Sequence, residues 1–353
     1  MKILQINTTV NSGSTGRIAE DIGKVLVANG HESYIAYGRG NQKSASQLIK
    51  IGTQTDVYWH GAVTLLTDRH GFASKKATTA LVEQIEALQP NVIGLHNIHG
   101  YYLNIEILFN YIAQKNIPLI WTFHDCWAFT GHCTYFDTVN CEKWKTQCEK
   151  CPKTSAYPKS LGIDNSFQNY NDKKRIFNQI ENLHIITPSH WLKQKVEESF
   201  LKNYPVTCIH NGIDLNQFKP SNNTAQLVEK WHLKNKKIVL GVASIWDERK
   251  GLQDFIALSE QLSDHYQIIL IGLNEKQIET LPKKIIGVKR TENIAELVAY
   301  YNVASVFVNP TYQDNFPTTN IEALACGTPV ITYNTGGSPE AIDEHTGEMV
   351  EKG

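Results

Sequence analysis

Short runs of apolar residues alternate with amphipathic stretches along nearly the whole chain. Most of these runs are rich in Ile and Val and continuously apolar, which is typical of parallel strands buried on both faces. Between them apolar residues recur at helical spacing, as do Ile18, Ile22, Val25 and Leu26 in the first amphipathic stretch. The pattern predicts strands at residues 2–7, 33–38, 92–97, 118–125, 183–189, 206–210, 237–244, 267–272, 285–288, 304–309 and 329–333.

This alternation predicts an α/β protein with parallel sheets and right-handed crossovers. Eleven strands are too many for one comfortable open sheet, and the series breaks near residues 205–220. We therefore expect two doubly wound domains, residues 1–212 and 213–353, that face each other across a cleft. In such sheets ligands bind at the carboxyl ends of the strands, so candidate chemistry is sought there.

The composition of the chain narrows the classes of function that it can have. The chain has 353 residues, and 34 Lys and Arg against 35 Asp and Glu give a formal net charge of −1. This balance gives no sign of a nucleic-acid or polyanion binder. No apolar stretch approaches the ~18–20 residues of a membrane span, and Gln5 and Asn7 interrupt the first run, which is not a signal peptide. We expect a cytoplasmic protein, peripheral at the inner face of the membrane.

The loop after the first predicted strand contains Gly13 and Gly16 and leads directly into a helix. Glycines let the backbone approach a ligand closely, and a helix N-terminus favours an anion. The loop matches neither the dinucleotide-binding glycine pattern nor a phosphate-binding P-loop. An ordinary strand-to-helix turn remains an equal interpretation.

Two other strand ends in the first half carry histidines. His124 and Asp125 follow one strand, and His96 and His99 follow an earlier one. Such a His–Asp pair can bind sugar hydroxyls or transfer protons. Histidines that merely bond to backbone groups are an equal interpretation for His96 and His99.

In the second half, Arg249, Lys250 and Gly251 follow the first strand, where the next helix begins. Two cations and a helix dipole would neutralise a diphosphate. The alternative is a solvated charge cluster without a ligand.

The most informative segment runs from Asn309 to Ile331. The pattern predicts a loop containing Asp314, a helix with Pro317 at its first position, Glu322 about one turn in, and Gly327 at its end. We expect both acids to face one cleft, with free backbone N–H groups of the helix start between them. Carboxylates suit a ligand rich in hydroxyl groups, and the N–H groups suit its phosphate.

Five of the seven cysteines fall between residues 126 and 151. Cys133, Cys141, Cys148 and Cys151 lie in an insertion of about residues 126–160, and their spacing ends in Cys-x-x-Cys. Four thiolates at this spacing are consistent with a tetrahedral structural zinc site. Disulfides or merely buried thiols are the alternatives, and zinc would stabilise an otherwise irregular insertion.

Taken together, these segments resemble the retaining GT-B glycosyltransferases of family 4. Asp314-x7-Glu322 followed by Ala-Leu-Ala-Cys-Gly-Thr-Pro-Val is similar to the family's E-x7-E signature. Further similarities, in chain order, are the first glycine loop, His124-Asp125, Asn211-Gly212-Ile213-Asp214, Arg249-Lys250-Gly251 and Thr335-Gly336-Gly337. The resemblance implies a GT-B fold, with two Rossmann-like domains.

The resemblance also implies roles for individual residues. Glu322 would bind the ribose hydroxyls of a nucleotide-sugar donor, and Asp314 hydroxyls of its sugar. Arg249 and Lys250 would bind the diphosphate. The remaining implied contacts are His124 at the donor sugar, Gly13 and Gly16 on the phosphate and acceptor side, and backbone at Asn315, Phe316, Pro317, Thr318 and Thr319 at the diphosphate.

Three departures from the family pattern stand out. The first acid of the signature is Asp314, one methylene shorter than Glu. Ser244-Ile245-Trp246 stands where the family often has Gly-Arg-Leu, so Arg249 would replace a missing arginine. The chain ends at Gly353 where a last strand is forming, so we expect a second domain that is cut short relative to the family.

The sequence therefore predicts a metal-independent, retaining glycosyltransferase that uses a nucleotide-diphosphate sugar. Its acceptor would be a hydroxyl of a growing, lipid-linked surface glycan. A nucleotide-sugar epimerase on the same fold and a non-catalytic nucleotide-sugar binder are the alternatives. A glycoside hydrolase fits less well, because its two carboxylates flank the scissile bond from opposite sides.

Overall fold

The computed structural model describes residues 1–40 and 42–352. The chain forms two compact units and passes from the first to the second between His210 and Asn211. The boundary predicted from the sequence lies two residues further along. Each unit is built around one parallel sheet with helices in the crossovers.

The first unit contains a seven-stranded sheet, within the described residues, in the order β3-β2-β1-β4-β5-β6-β7. Its strands are β1 Lys2–Thr9, β2 Glu32–Arg39, β3 Gln47–Lys50, β4 Val92–Leu95, β5 Leu119–Thr122, β6 Leu183–Thr187 and β7 Val206–Cys208. Its helices are α1 Gly13–Ala28, α2 Gln54–Thr67, α3 Lys75–Leu88, α4 Ile105–Lys115, α5 Ser166–Phe177 and α6 His190–Glu197.

The second unit contains a six-stranded sheet, in the part of the chain that is described, in the order β10-β9-β8-β11-β12-β13. Its strands are β8 Lys237–Val242, β9 Tyr266–Ile271, β10 Ile285–Val288, β11 Val306–Asn309, β12 Val330–Tyr333 and β13 Gly347–Val350. Its helices are α7 Ala225–Lys230, α8 Leu252–Gln261, α9 Glu275–Glu279, α10 Ile294–Val303 and α11 Thr318–Ala325.

The continuously apolar runs form the central strands, and their side chains are buried on both faces of the sheets. Leu4, Ile6, Ile93 and Leu95 on neighbouring β1 and β4 have no exposed surface. The prediction of buried parallel strands is thus confirmed. In both sheets the order reverses beside the first strand of the unit, so β1 and β4, and β8 and β11, flank the switch points where ligands bind in such folds.

The strand β3 was not predicted, and β13 was noted only as a strand forming at the end of the sequence. Both lie at sheet edges and have four residues with several exposed side chains, including Leu48 and Met349. An edge strand of this kind lacks the continuous apolar run by which the central strands are recognised. The forming strand noted at the end of the sequence is β13, which pairs in parallel with β12.

The cysteine-rich insertion between β5 and α5 packs against the core of the first unit. Its regular structure consists of three short 3-10 turns, Trp127–Phe129, Asp137–Val139 and Lys143–Lys145. Phe136 and Trp144 are buried and stacked, with ring centroids 4.8 Å apart. The apolar core therefore stabilises this segment. Among the described residues, no helix combines the length and apolarity that crossing a bilayer requires.

Candidate functional site

The predicted basic pair lies at the switch point of the second sheet. After β8, a 3-10 turn spans Glu248–Lys250, and the Asp247 side chain accepts a hydrogen bond from the Lys250 N–H, which caps the turn. Gly251 follows with φ +72°, and a Cβ there would lie 2.3 Å from the Pro310 carbonyl oxygen. Only glycine permits this approach between the segments that follow β8 and β11.

Hydrogen bonds join these two segments and place the basic pair beside Asp314. The Tyr312 N–H donates to the Arg249 carbonyl oxygen at 2.8 Å, and the Arg249 guanidinium donates to the Gln313 carbonyl oxygen at 2.8 Å. Lys250 Nζ forms a hydrogen-bonded ion pair with Asp314 Oδ2, and Arg249 Nη1 lies 4.0 Å from the same oxygen. The structure thus brings three of the predicted site residues together.

The electrostatics of Asp314 follow from this arrangement. Burial raises the pKa of the carboxyl group, but Lys250 and Arg249 outweigh burial and hold the pKa below its ordinary value. Asp314 is therefore a carboxylate at neutral pH, and it faces both cations. A second carboxylate oxygen, Asp247 Oδ2, lies 3.9 Å from Arg249 Nε, so two carboxylates offset the two cations in the free protein.

A second close approach fixes the backbone of Asp314. Gly336 has φ +57°, and a Cβ there would lie 1.9 Å from the Asp314 carbonyl oxygen. The Gly337 N–H donates to the same oxygen at 3.3 Å. The glycine pair noted near the end of the sequence therefore packs on the loop that holds Asp314.

The start of α11 differs in detail from the prediction. Pro317 is the N-cap of the helix rather than its first residue, because its ψ of 118° is extended, and Thr318 is the first helical residue. Pro317 gives the first turn no side-chain cap, and Thr318 and Thr319 are half-buried. The first N–H groups of a helix lack partners within it, so this end can bind an anion. Asn315 and Phe316, just before it, are buried.

Glu322 lies on the buried face of α11 and is 3% exposed. The Tyr301 hydroxyl, on α10, donates a hydrogen bond of 2.9 Å to Glu322 Oε2. Tyr301 was not predicted to contact the site, because helical periodicity shows which face of α10 is apolar but not which atom a hydroxyl on that face meets. The hydrogen bond between Tyr301 and Glu322 links α10 to α11 and fixes the orientation of the carboxylate.

The residues that stand in place of the family's Gly-Arg-Leu do not form a cationic group. Trp246 is buried and donates to the Ile271 carbonyl oxygen at 2.9 Å, whereas Ile245 is 70% exposed. Trp246 therefore belongs to the core. The cations of this loop are those of Arg249 and Lys250.

In the first unit, a chain of hydrogen bonds orients His124. The Gln5 amide donates to the Ala19 carbonyl oxygen at 2.9 Å, so its Oε1 is the acceptor for His96 Nε2 at 3.0 Å. His96 then carries its proton on Nε2, and its Nδ1 accepts from His124 Nε2 at 3.1 Å. This leaves Nδ1 of His124 as a lone-pair acceptor. The tautomers are assigned from the network of partners.

Burial holds both imidazoles in the neutral form. It lowers the pKa of His124 to about 4 and that of His96 to about 3, and the mutual proximity of the two rings adds to the effect at His96. A neutral His124 can accept a hydrogen bond from a hydroxyl group, as a sugar ligand would require. Gln5 and His96 were not predicted to form this network, although a glutamine inside a buried strand was the available signal.

Asp125 does not pair with His124. Its Oδ2 lies 2.8 Å from His99 Nε2, and its Oδ1 accepts from the Trp127 N–H at 2.9 Å. His99 Nδ1 lies 3.2 Å from the Tyr157 hydroxyl. The two neighbours predicted as one pair therefore serve two separate networks at the same edge of the sheet.

The glycines of the first loop have different surroundings. A Cβ on Gly13 would meet no atom within 4 Å, and its φ is +68°. A Cβ on Gly16 would lie 2.8 Å from Thr9 Oγ1, so Gly16 allows α1 to pack on the end of β1. Gly13 leaves an open backbone surface at the helix start, and Gly16 is a packing residue.

The four predicted metal ligands surround one cavity. Cys133, Cys141, Cys148 and Cys151 all line it, together with His132 and Trp144. The thiols are free, and burial raises the pKa of Cys148 to about 12. Two further polar side chains, Asp68 and Lys173, lie near the cavity: Asp68 bonds to His132, and Lys173 lies near Cys148 and Cys133.

Comparison with known proteins identifies the class. Residues 15–217 match the family described as Glycosyltransferase Family 4, and residues 236–353 match Glycosyl transferases group 1. Because the first match covers more than half of the chain, the chain belongs to glycosyltransferase family 4, as the signature predicted. It is a glycosyltransferase.

Individual relatives are similar over different lengths. A protein of Escherichia coli K12 named for colanic acid biosynthesis, glycosyl transferase WcaC, is 27% identical over 99% of this chain and 87% of its own length. The capsular polysaccharide biosynthesis glycosyltransferase CapM of Staphylococcus aureus is 31% identical over 48% of each chain.

Solved structures confirm the GT-B fold. Anabaena HepE, in complex with UDP-glucose, aligns with a TM-score of 0.67 at 15% identity and covers 100% of this chain and 86% of its own. WaaG, a glycosyltransferase involved in lipopolysaccharide biosynthesis, aligns with a TM-score of 0.67 at 14% identity over 99% and 86%. At these identities the likeness shows the fold alone.

Proposed function

We propose that this glycosyltransferase transfers a sugar, with retention of anomeric configuration, from a nucleotide-diphosphate sugar to a hydroxyl of a growing surface glycan carried on a lipid. The observation that carries the proposal is the cluster of Arg249, Lys250 and Asp314 at the switch point of the second sheet. It offers two cations and a carboxylate where the fold binds ligands.

The second unit would bind the donor. Arg249 and Lys250 neutralise the diphosphate, and the N–H groups at Thr318 and Thr319 bind its oxygens with the help of the helix dipole. These groups also stabilise the charge that develops on the leaving diphosphate as the glycosidic bond breaks. Glu322 accepts hydrogen bonds from the ribose hydroxyls, and Asp314 from hydroxyls of the transferred sugar.

The proposed transfer needs no covalent intermediate between the sugar and the enzyme. The bond between the anomeric carbon and the diphosphate oxygen breaks, and the acceptor hydroxyl oxygen bonds to the same face of that carbon. A leaving phosphate oxygen takes the acceptor proton. His124, through Nδ1, accepts a hydrogen bond from a sugar hydroxyl.

Charge neutralisation by side chains and by the helix start supports a reaction without a catalytic metal ion. Arg249, Lys250 and the N–H groups of the helix start would together supply the positive charge that a metal ion otherwise brings to a diphosphate. We therefore propose that initial rates are the same with and without added Mg²⁺ or Mn²⁺. A rate that depends on either ion would contradict this part of the proposal.

The names of relatives support a lipid-linked acceptor in polysaccharide synthesis. One relative, 25% identical over 37% of this chain, is the N,N'-diacetylbacillosaminyl-diphospho-undecaprenol alpha-1,3-N-acetylgalactosaminyltransferase of Campylobacter jejuni. Exposed apolar side chains on α2 support a peripheral membrane position on the cytoplasmic side: Tyr58, Trp59 and Leu66 are 71%, 66% and 58% exposed. Aromatic side chains of this kind favour the membrane interface.

The first test is a thermal-shift panel of nucleotide-diphosphate sugars on the full chain. A donor that binds the folded protein raises the melting temperature by mass action. That donor is then incubated with lipid-linked saccharides, and the product's anomeric configuration is determined by NMR. An inverted product would refute retention. Epimerisation of the donor without an acceptor, or binding without turnover on any acceptor, would refute transfer.

A further inference from the structure

The cavity lined by the cysteines of the insertion has room for one small occupant. Its volume is about 20 Å³, enough for one water-sized particle. Cys133, Cys141, Cys148 and Cys151 all line it. Phe136 and Trp144, which are buried, form part of the same lining.

The sulfur atoms have the hydrogen bonds that thiolate ligands usually receive. The Gly131 N–H donates to Cys148 and the Lys153 N–H to Cys151, while the thiol of Cys133 donates a hydrogen bond to the sulfur of Cys151. A Cβ on Gly131 would lie 2.8 Å from the Cys148 Cβ, so glycine is required for this approach. Such N–H bonds orient and stabilise metal-bound sulfur.

A buried lysine lies beside the cavity. Lys173 is 1% exposed, and its Nζ donates to the carbonyl oxygens of Trp127 and Thr130 at 2.8 and 3.1 Å and lies 3.4 Å from the centre of the Trp127 ring. Among the described residues it forms no ion pair with a carboxylate. Burial lowers the pKa of Lys173 to about 7, and ionised sulfur at Cys148 and Cys133 would favour its charged form.

The buried ring of His132 is a second, independent sign that the cavity holds an occupant. It is 2% exposed, its Nδ1 bonds to Asp68 Oδ1 at 2.5 Å, and its Nε2 has no hydrogen-bond partner although it is buried. The ring lines the same cavity. A buried, unpartnered ring nitrogen needs a partner in the cavity: the lone pair of Nε2 in the neutral ring would face the ion, and an Nε2–H in the charged ring would donate to metal-bound sulfur.

We propose that this cavity binds one Zn²⁺ through the thiolates of Cys133, Cys141, Cys148 and Cys151. The thiols release their protons when the ion binds. Two of the four negative thiolate charges are offset by the ion, and Lys173 lies close enough to Cys148 and Cys133 to interact with the remaining charge. The ion joins three segments of the insertion to one another and is a structural rather than a catalytic group.

Zinc binding requires the sulfurs to move closer together. Within the described residues, no three donor atoms of this set lie within 4.8 Å of one another, whereas sulfurs around zinc are each about 2.3 Å from the ion. The close pair, Cys133 and Cys151, would also permit a disulfide. A disulfide would leave the buried Nε2 of His132 without the partner that a metal site provides, so this ring nitrogen favours the metal.

The test is the zinc content of the full chain, purified in reducing buffer without a polyhistidine tag or chelator. Mass spectrometry of the metal should give about one zinc per chain. Cys148→Ser should lose most of the zinc. Cys326→Ser, in the other unit, is the matched control and should retain it.

Two measurements on the unsubstituted protein guard against a variant that fails to fold. Stepwise modification of thiols with a mercurial reagent should release zinc as the ligand cysteines react. Cobalt substituted for zinc should show the absorption bands of a tetrahedral site with four thiolates.

Three results would overturn the proposal. The first is unsubstituted protein without zinc that also fails to take up cobalt. The second is equal zinc in Cys148→Ser and Cys326→Ser. The third is fewer than the seven free thiols that the sequence contains, counted after unfolding without reductant, because it would show a disulfide.

Discussion

The series of hydrogen bonds from Gln5 through His96 to His124 leads to a specific prediction for Gln5→Leu. Leucine removes the acceptor for the His96 Nε2–H, which lies in the buried interior of the first unit. The histidine pair can respond in two ways. Either the N–H remains unsatisfied, or the proton of His96 moves to Nδ1, which reverses the bond to His124 and leaves a donor where the acceptor was.

The two responses differ in magnitude. A buried, unsatisfied N–H costs about 1–3 kcal/mol of the free energy of unfolding. Reversal avoids part of that cost, but a sugar hydroxyl then loses its acceptor on His124, and about 1.4 kcal/mol of lost transition-state stabilisation lowers kcat/KM about tenfold. A positive charge on His124 contributes to neither response, because with a pKa of about 4 roughly one His124 ring in a thousand is protonated at pH 7.

The assay is long-range proton–nitrogen NMR of histidine labelled with nitrogen-15, which distinguishes a protonated ring nitrogen from one with a lone pair. The unsubstituted protein should show His124 protonated on Nε2, and Gln5→Leu should show either a reversed tautomer or a lower free energy of unfolding. Gln179→Leu, a surface glutamine of the same unit, is the control. A His124 protonated on Nδ1 in the unsubstituted protein would refute the reasoning.

The other predictions concern the donor site and acid stability. Lys250→Met removes a charge-assisted hydrogen bond worth about 1.5–3 kcal/mol, so the Kd of the donor, measured by calorimetry, should rise at least tenfold. An unchanged Kd would exclude Lys250 from the diphosphate site. Glu322→Ala should weaken donor binding by a similar factor, whereas Tyr301→Phe, which leaves the carboxylate in place, should weaken it less; equal effects would mean that Glu322 acts only through helix packing. Burial lowers the pKa of His60 to about 4 and of His96 to about 3, so the unfolded chain takes up protons near pH 6.5 before the folded chain does. Their contribution to stability is complete above pH 6.5 and is lost as the pH falls to about 4 for His60 and to about 3 for His96. Denaturant unfolding at pH 7 and pH 4.5 should therefore differ by roughly 2 kcal/mol per histidine. Equal stability at the two pH values would show that these rings are not buried in the neutral form.

The basic pair and Asp314 could be predicted from the sequence because each follows a recognisable apolar strand. Adjacent parallel strands end at the same edge, so residues that follow them come together whatever the details of packing. The family signature added the roles, and the family assignment is confirmed. The roles themselves stay predictions.

The hydrogen bonds behind the site could not be predicted in the same way. Gln5 and His96 are 91 positions apart, and they meet because Gln5 pairs with Gly94 in the register of β1 and β4. Glu322 and Tyr301 meet through the packing of two helices. Periodicity fixes which face of an element is buried, but not which atoms lie opposite one another across an interface. The predicted start of α11 was wrong by one residue, because the ends of a helix depend on local dihedral angles that the sequence pattern does not show.

The ion pair between Lys250 and Asp314 has a consequence for turnover. In the free protein Lys250 is held by a partner, so the side chain is ordered before any donor arrives and loses little entropy on binding. In the proposed donor site the diphosphate would replace Asp314 as the anionic partner of Lys250, which would reduce the net gain in affinity. When the nucleotide leaves, Lys250 would pair with Asp314 again, and this return would favour release of the spent nucleotide before the next cycle.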